Sequence, residues 1–555
     1  MTLDGVVPFP AREAARYRRL GYWEDRPLWD AFEECFATFG PSPAVISQAE
    51  VWTFSELAAG TERLALNLLD LGVGPRAPVV VQLPNSVEFV LLYFALQRLG
   101  AIPLLALPGH REYEIGHYVR FIDAVAYAAP PRLGELDCLA LASQLRAEGS
   151  GLRLMLVQGP SPREEGVVGI RDLLDREPRS APGALRRLEI DPTDPCAFQL
   201  SGGTTGIPKV IPRTHNDYLF NSRLIGGVND IRPSDRLLVA APIGHNFPLA
   251  SPGIQGFFLS GAAAVLAPSA RTEVALPLIE CHGVTHLEVV PAMILAWLAE
   301  EGPARFRLDS VRVVNSGGQK FQPETKRRTE AAFPKAKVQE VFGMAEGLLM
   351  ITRLDDPQEV RWETAGRPIC PDDEVRLVDD DGQEVPDGEI GELICRGPYT
   401  LRGYYRAPEA NRRAFTPDGF YCSGDLLRRH PSGNYVVEGR KKDLINRGGE
   451  KISAEEVEDM LLGHPEVANV ACVPMPDPIL GERMCAFVQP LGGRAPSLEE
   501  LTSLLRERGL ARFKHPERLE VVAELPLSPF GKVQKSVLAR RAAELAGRPR
   551  EAPQR

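Results

Sequence analysis

The stretch LSGGTTGIPKVIPRTH, Leu200 to His215, gathers glycines, hydroxyls and one lysine directly after an apolar run. That combination can grip a polyphosphate. Gly202, Gly203 and Gly206 reach positive φ at little steric cost and let several N–H groups converge on an anion. Ser201, Thr204 and Thr205 add hydroxyl donors, and Lys209 adds a mobile positive charge. A Gly/Ser/Thr-rich segment can equally be a plain surface loop, so this one does not decide by itself. The G-x-x-x-x-G-K-[ST] spacing of the P-loop is absent, so γ-phosphoryl transfer is not required of it.

The elements that must position this loop alternate between short β-rich runs and helical patterns, the signature of an α/β fold. PVVVQL, Pro78 to Leu83, reads as a buried strand, with Asn85 or Ser86 placed to cap an apolar helix running towards Leu99. AFQLS, RLLVAAP, AAAVLAP, THLEVVP and VRVVNSGG are further strands, each ending near Gly, Pro or a polar loop. Ligands in open α/β sheets bind beyond the carboxyl ends of strands. The loops at Ser201, His245, Gly317 and Phe342 are therefore expected to meet at one cleft.

A boundary falls at EGRKKDLINRGGEKIS, a charged, Gly-flanked segment followed by a compact α+β pattern of about one hundred residues. Ser453 with Glu456 and Ser497 with Glu500 fit capping boxes opening two helices. VANVACVPM, MCAFVQP and RLEVVAE supply strands, and a charged tail after about Ala546 reads as disordered.

At 555 residues the chain is long for one core, so at least two domains are expected. Its 44% hydrophobic and 25% charged residues fit an ordinary globular protein. The net charge of −10, with both signs interspersed, argues against a general nucleic-acid surface. Nine cysteines without a C-x-x-C pair give neither a disulfide framework nor a zinc site, and suit a reducing cytoplasm. No signal peptide or membrane span is evident, so export and membrane insertion are not expected.

The glycine loop resembles the phosphate-binding signature of the adenylate-forming superfamily, and five later segments resemble its other signatures in order. They are VFGMAEG (Val341 to Gly347), GELICRGPYTLRGYY (Gly391 to Tyr405), YCSGD (Tyr421 to Asp425), GRKKDLINRGGEKIS (Gly439 to Ser453) and PLSPFGKVQK (Pro526 to Lys535). The resemblance runs from near the amino terminus to about residue 540. It implies a large multi-sheet N-terminal adenylation domain, residues 1–440, and a small mobile α+β C-terminal domain, residues 441–555, rotating about a hinge at Lys442. A solvated linker without a special pivot fits the same segment.

The implied chemistry is ATP-dependent activation of a carboxylate, which attacks the α-phosphorus and expels pyrophosphate, so that positioning and charge neutralisation dominate catalysis. The resemblance gives the β- and γ-phosphates to the glycine loop with Lys209, and Mg²⁺ to Glu346. Asp425 and Arg440 match the ribose contacts, and Gly317, Gly318, Val341, Phe342 and Gly343 match the adenine and substrate walls. Lys532 matches the lysine that reaches the carboxylate and α-phosphate during adenylation and then withdraws to admit a thiol.

GHNFPLASPG, Gly244 to Gly253, and the amino-terminal YRRLGYWEDRPL resemble one branch, the aryl acid ligases of siderophore and related peptide assembly. There the position of Asn246 bonds the hydroxyl ortho to the carboxylate, and His245 lies beside the ring with a catalytic assignment. Ser251 tilts the choice towards 2,3-dihydroxybenzoate. Phe247 where tyrosine is common, Ala250 where serine occurs and Leu349 where valine is frequent leave salicylate or a methylated salicylate open. The implied partner is a phosphopantetheinylated aryl carrier protein supplied in trans. Free coenzyme A as acceptor, or a non-catalytic aryl-ligand protein, are the alternatives, and the matched Lys209, Glu346, Asp425, Arg440 and Lys532 argue against the last.

Overall fold

The computed structural model describes residues 3–159, 162, 164–201, 208–299, 302–447, 450–508, 510–528 and 531–546. Its organising element is the helix Val87–Leu99, in which every residue except Glu88 is buried. A helix apolar on all sides must be packed on all sides, and this one lies in a helical layer between two large sheets. Ser86 opens it by accepting the Phe89 N–H at 3.2 Å, and Gly100 closes it in the left-handed conformation. Beside it run Leu28–Thr38, Phe54–Asp70 and Gly253–Leu259, sharing one core with strand residues such as Val81 and Leu105 on one side and Val239 and Leu266 on the other.

The first sheet has seven strands in the order Val210–Thr214, Pro195–Leu200, Ile102–Leu105, Pro78–Val81, Ala126–Ala129, Leu154–Val157, Val167–Gly169. It is parallel except for the hairpin of its first two strands. The second has nine, and its parallel centre holds Lys337–Gly343, Val313–Gly317, His286–Val289, Arg236–Val239, Ala263–Leu266 and Pro43–Ile46. Helices Glu112–Phe121 and Cys138–Ala147 cover the outer face of the first sheet, and Thr272–His282 and Pro291–Ala299 that of the second. The layering is α/β, as the sequence pattern predicts.

An antiparallel sheet of Glu374–Val378, Gly391–Arg396, Tyr421–Arg429 and Tyr435–Arg440 packs its Leu393, Cys395 and Leu427 against Met344, Leu348 and Met350. The final sheet holds Ile445–Arg447, Glu450–Ile452, Val467–Asp477, Gly481–Pro490 and Arg518–Val521. Helices Ala454–Leu462 and Leu498–Glu507 cover one face and Lys535–Leu545 the other, giving an α+β unit with two small cores. The box at Ser497 and Glu500 is reciprocal. The one expected at Ser453 is not: Ser453 accepts the Glu456 N–H but donates to the Glu438 carbonyl, and the Glu456 carboxylate is drawn to Lys514 at 2.7 Å. An available cation outcompetes one backbone N–H for that carboxylate. Residues 547–555, the tail, lie outside the described residues. Among the described residues no helix is long and apolar enough to cross a membrane, and the nine cysteines are unpaired.

Candidate active site

The strands Pro195–Leu200 and Val210–Thr214 pair up to Leu200 opposite Val210. The Ser201 N–H donates to the Lys209 carbonyl and the Lys209 N–H to Ser201 Oγ, each at 2.9 Å, pinning the base of the intervening loop. Gly202, Gly203, Thr204, Thr205 and Gly206 lie outside the described residues. Lys209 is exposed, with Nζ 4.6 Å from the centre of the Tyr404 ring, a cation–π distance. The Tyr404 hydroxyl donates to Glu346 Oε1 at 2.9 Å and lies 3.1 Å from the Tyr421 hydroxyl. Burial and the Glu346 charge hold the Tyr404 phenol protonated, as a donor to that carboxylate.

Two cavities meet here. One is lined by Ser201, Lys209, His245, Asn246, Phe247, Ser251, Glu346, Leu349 and Tyr404, and the other by Phe342, Asp425, Glu455, Glu458 and Lys535. Gly318, Val341, Gly343, Arg440 and Lys532 border both. The four loops expected at one cleft thus converge, with Lys532 entering from the α+β unit. Gly317 lies just behind the wall: a Cβ there would come within 2.7 Å of the Val341 carbonyl and 3.5 Å of the Phe247 ring. Alternation along Lys337–Gly343 separates its neighbours. Val341 packs with Phe247 and Leu349, whereas Phe342 faces the Met344 and Leu348 side and borders only the second cavity.

Asp425 and Arg440 face each other across antiparallel strands, with Arg440 Nε 2.7 Å from Asp425 Oδ1. Burial pushes the Asp425 carboxyl up, and the guanidinium opposes it. Lys442 lies in the single turn Lys441–Asp443, and its side chain lies outside the described residues.

Residues 32–405 match the AMP-binding enzyme family, and residues 456–532 match the AMP-binding enzyme C-terminal domain. The chain belongs to the AMP-binding enzyme family. This AMP-binding enzyme is 45% identical to a salicylyl-CoA synthase / salicylate adenylyltransferase of a Streptomyces species, over 97% of this chain and 98% of that one. It is 43% identical to a 2,3-dihydroxybenzoate-AMP ligase of Bacillus subtilis strain 168, over 97% of each. Among solved structures, the apo structure of Mycobacterium smegmatis MbtA matches with a TM-score of 0.73 at 40% identity, covering 97% of this chain and 99% of that one. These relatives place the enzyme in the aryl acid AMP ligase branch.

The end of the AMP-binding enzyme's cavity that holds Asn246 is a hydrogen-bonded chain. Gln199 Nε2 donates to the Tyr218 hydroxyl at 3.1 Å, which donates to Asn246 Oδ1 at 2.8 Å, and Asn246 Nδ2 donates to Ser251 Oγ at 3.2 Å. The Arg213 guanidinium lies 4.7 Å from the Tyr218 ring centre and donates to the Ala345 carbonyl at 3.0 Å, next to Glu346. Ala250 is buried, and its carbonyl accepts from Asn221 Nδ2 at 2.7 Å. His245 Nδ1 accepts the Phe247 N–H at 3.2 Å, so the neutral ring carries its proton on Nε2. Burial, then the nearby Lys532 charge, keep that ring neutral.

Sequence reasoning missed Tyr404, Tyr421, Tyr218 and Arg213. The first two lie inside the quoted segments GELICRGPYTLRGYY and YCSGD, where a tyrosine paired with a motif carboxylate was the available signal. Arg213 lies inside the quoted LSGGTTGIPKVIPRTH, where an arginine on an otherwise apolar strand was the signal; Tyr218 carried none, because a buried aromatic on a helix reads as core.

Proposed function

We propose that the enzyme uses ATP to convert an ortho-hydroxylated aryl acid into the aryl adenylate and pyrophosphate, then transfers the acyl group to a phosphopantetheine thiol of an aryl carrier protein. The observation that carries this reading is Lys532, bordering both the cavity of Asn246 and Ser251 and the cavity of Asp425 and Arg440. A cation at that junction can neutralise the acid's carboxylate and the α-phosphate together, lowering their repulsion as the carboxylate oxygen attacks phosphorus and pyrophosphate leaves. Asp425 accepts from the ribose hydroxyls while Arg440 holds its orientation. The glycine loop and Lys209 take the β- and γ-phosphates.

Glu346 suits a magnesium ion. Tyr404 occupies Oε1, and among the described residues no hydrogen bond engages Oε2. Among the described residues no cluster of three or more His, Cys, Asp or Glu side chains forms a cage. One carboxylate with phosphates and water is the usual Mg²⁺ environment. When bound, the ion would offset phosphate charge.

In the acid cavity Asn246 presents an N–H to the ortho oxygen, His245 presents its Nε2 side as a donor, and Phe247, Val341 and Leu349 form the apolar walls. Ser251 beside Asn246 favours 2,3-dihydroxybenzoate, with salicylate or a methylated salicylate next. In the second step the small domain, residues 441–555, pivots at Lys442, Lys532 withdraws, and the thiol attacks the acyl carbon, releasing AMP and a proton. Nine unpaired cysteines suit a cytoplasmic setting. Free coenzyme A is the second reading, favoured by the 45% identical relative that carries a CoA synthase name. Supplying the enzyme with ATP, acid and either coenzyme A or a phosphopantetheinylated carrier separates the two: the first reading expects acylated carrier and little acyl-CoA, and efficient acyl-CoA formation would replace it.

A further inference from the structure

The loop that carries Lys532 is closed on itself. Leu527 and Val533 form an antiparallel bridge, the Ser528 N–H donates to the Lys532 carbonyl at 2.7 Å, and the Gln534 N–H donates to the Pro526 carbonyl at 2.8 Å. These bonds hold the two described ends of the loop together. Its placement depends on what anchors its far end, where helix Lys535–Leu545 begins.

That helix packs through Leu538 and Ala542, which fixes its axis, and a polar contact at its first residue sets where the preceding loop joins it. Lys535, the first helical residue, places Nζ 2.8 Å from Glu458 Oε1 and 3.0 Å from Oε2. Glu458 is itself immobilised: it is buried on helix Ala454–Leu462, and its Oε1 accepts the Cys472 N–H from strand Val467–Asp477 at 2.6 Å. Burial works against the Lys535 charge, but Glu458 and Glu455 outweigh it and keep the ammonium protonated. A pair of this kind gains little stability over well-packed apolar side chains, so its value lies in geometry.

We infer that the Glu458–Lys535 ion pair is a positioning device for adenylation: it locks the first turn of the last helix so that Lys532, three residues earlier, stands at the junction of the two cavities. This rests on the proposed role of Lys532 in the first step. Both partners belong to the α+β unit, so the pair persists when that unit moves and has no task in thiol transfer.

The test uses the full-length enzyme with Lys535→Met, Lys535→Arg, the double variant Glu458→Met/Lys535→Met, and Lys532→Ala as control. ATP–pyrophosphate exchange reads the first step, and acyl transfer from synthetic aryl adenylate to the thiol acceptor reads the second. The double variant removes the buried charge problem and is expected to fold with a melting temperature near that of the parent. Its exchange kcat should nevertheless fall by about tenfold to a hundredfold, the scale of a misplaced catalytic group, with transfer retained. Lys535→Arg should recover part of the exchange. Exchange within about twofold of the parent in the folded double variant, or equal loss of both steps, overturns the inference. Undiminished exchange in Lys532→Ala would instead overturn the role of Lys532 on which it rests.

Discussion

The Tyr218 hydroxyl donates to Asn246 Oδ1 at 2.8 Å, and this bond fixes which end of the amide the cavity sees. Because Gln199 donates to the same hydroxyl, the phenol proton is committed to Asn246, and the amide nitrogen turns towards Ser251 and the cavity. The Arg213 guanidinium over the Tyr218 ring also holds the carbonyl beside Glu346. The Asn246 end of the cavity and the Glu346-bearing turn therefore share one brace, although their residues lie far apart in the chain.

Asn246→Leu should lower kcat/KM for salicylate and 2,3-dihydroxybenzoate by about tenfold or more relative to benzoate, because the lost hydrogen bond leaves a desolvated hydroxyl costing about 1–3 kcal/mol. Tyr218→Phe keeps the amide but frees its orientation, and a smaller loss in the same ratio is expected, about 3- to 10-fold. Steady-state kinetics on the three acids measure both; unchanged ratios would remove Asn246 from the specificity assignment.

Lys532→Ala should reduce pyrophosphate exchange by about a hundredfold or more while sparing thiol transfer from supplied aryl adenylate. Single-turnover assays of the two half-reactions separate these effects. Equal loss of both would mean that the lysine supports the fold or the second step as well.

Asp425→Asn retains size but loses the second acceptor oxygen and the charge that holds Arg440. The KM for ATP should rise by about tenfold to a hundredfold, with a much smaller change in the KM for the acid. Isothermal titration with ATP and with the acid separately would show it, and an unaltered ATP affinity would contradict the ribose assignment.

Glu288 is buried, accepts the Gly253 N–H at 2.8 Å, and has its carboxyl pushed up to about 8 by burial. The folded state holds this proton where the unfolded chain has released it. The contribution to stability is thus fully present below about pH 4.5, declines as pH rises, and is lost once pH passes about 8. Glu288→Gln keeps an acceptor for Gly253 without the ionisation, so its melting temperature should gain on the parent steadily from pH 5 to pH 8, by linkage about 3–4 kcal/mol in free energy over that range. A difference independent of pH would show that Glu288 is not held protonated.

Much of this architecture is written locally. Ser86 before an apolar run caps its helix as expected, and the strands ending near Ser201, His245 and Gly317 point their loops into one cleft. Where a feature depends on residues distant in sequence, the chain alone is silent or misleading. Ser453 has the spacing of a capping box, yet Lys514 takes the partner carboxylate. Tyr404 reaches Glu346, and Lys535 reaches Glu458, only because folding carries separate segments together. The motifs supply the charged groups; the tyrosines and ion pairs that orient them emerge from packing.

ATP–pyrophosphate exchange across benzoate, salicylate, 2,3-dihydroxybenzoate and anthranilate tests the central claim most directly. The account predicts acid-dependent exchange that is strongest with 2,3-dihydroxybenzoate or salicylate, at least about tenfold weaker with benzoate, and weaker with anthranilate, whose amine meets an N–H donor. Exchange that is absent with all four acids, or equal with benzoate and salicylate, would contradict it.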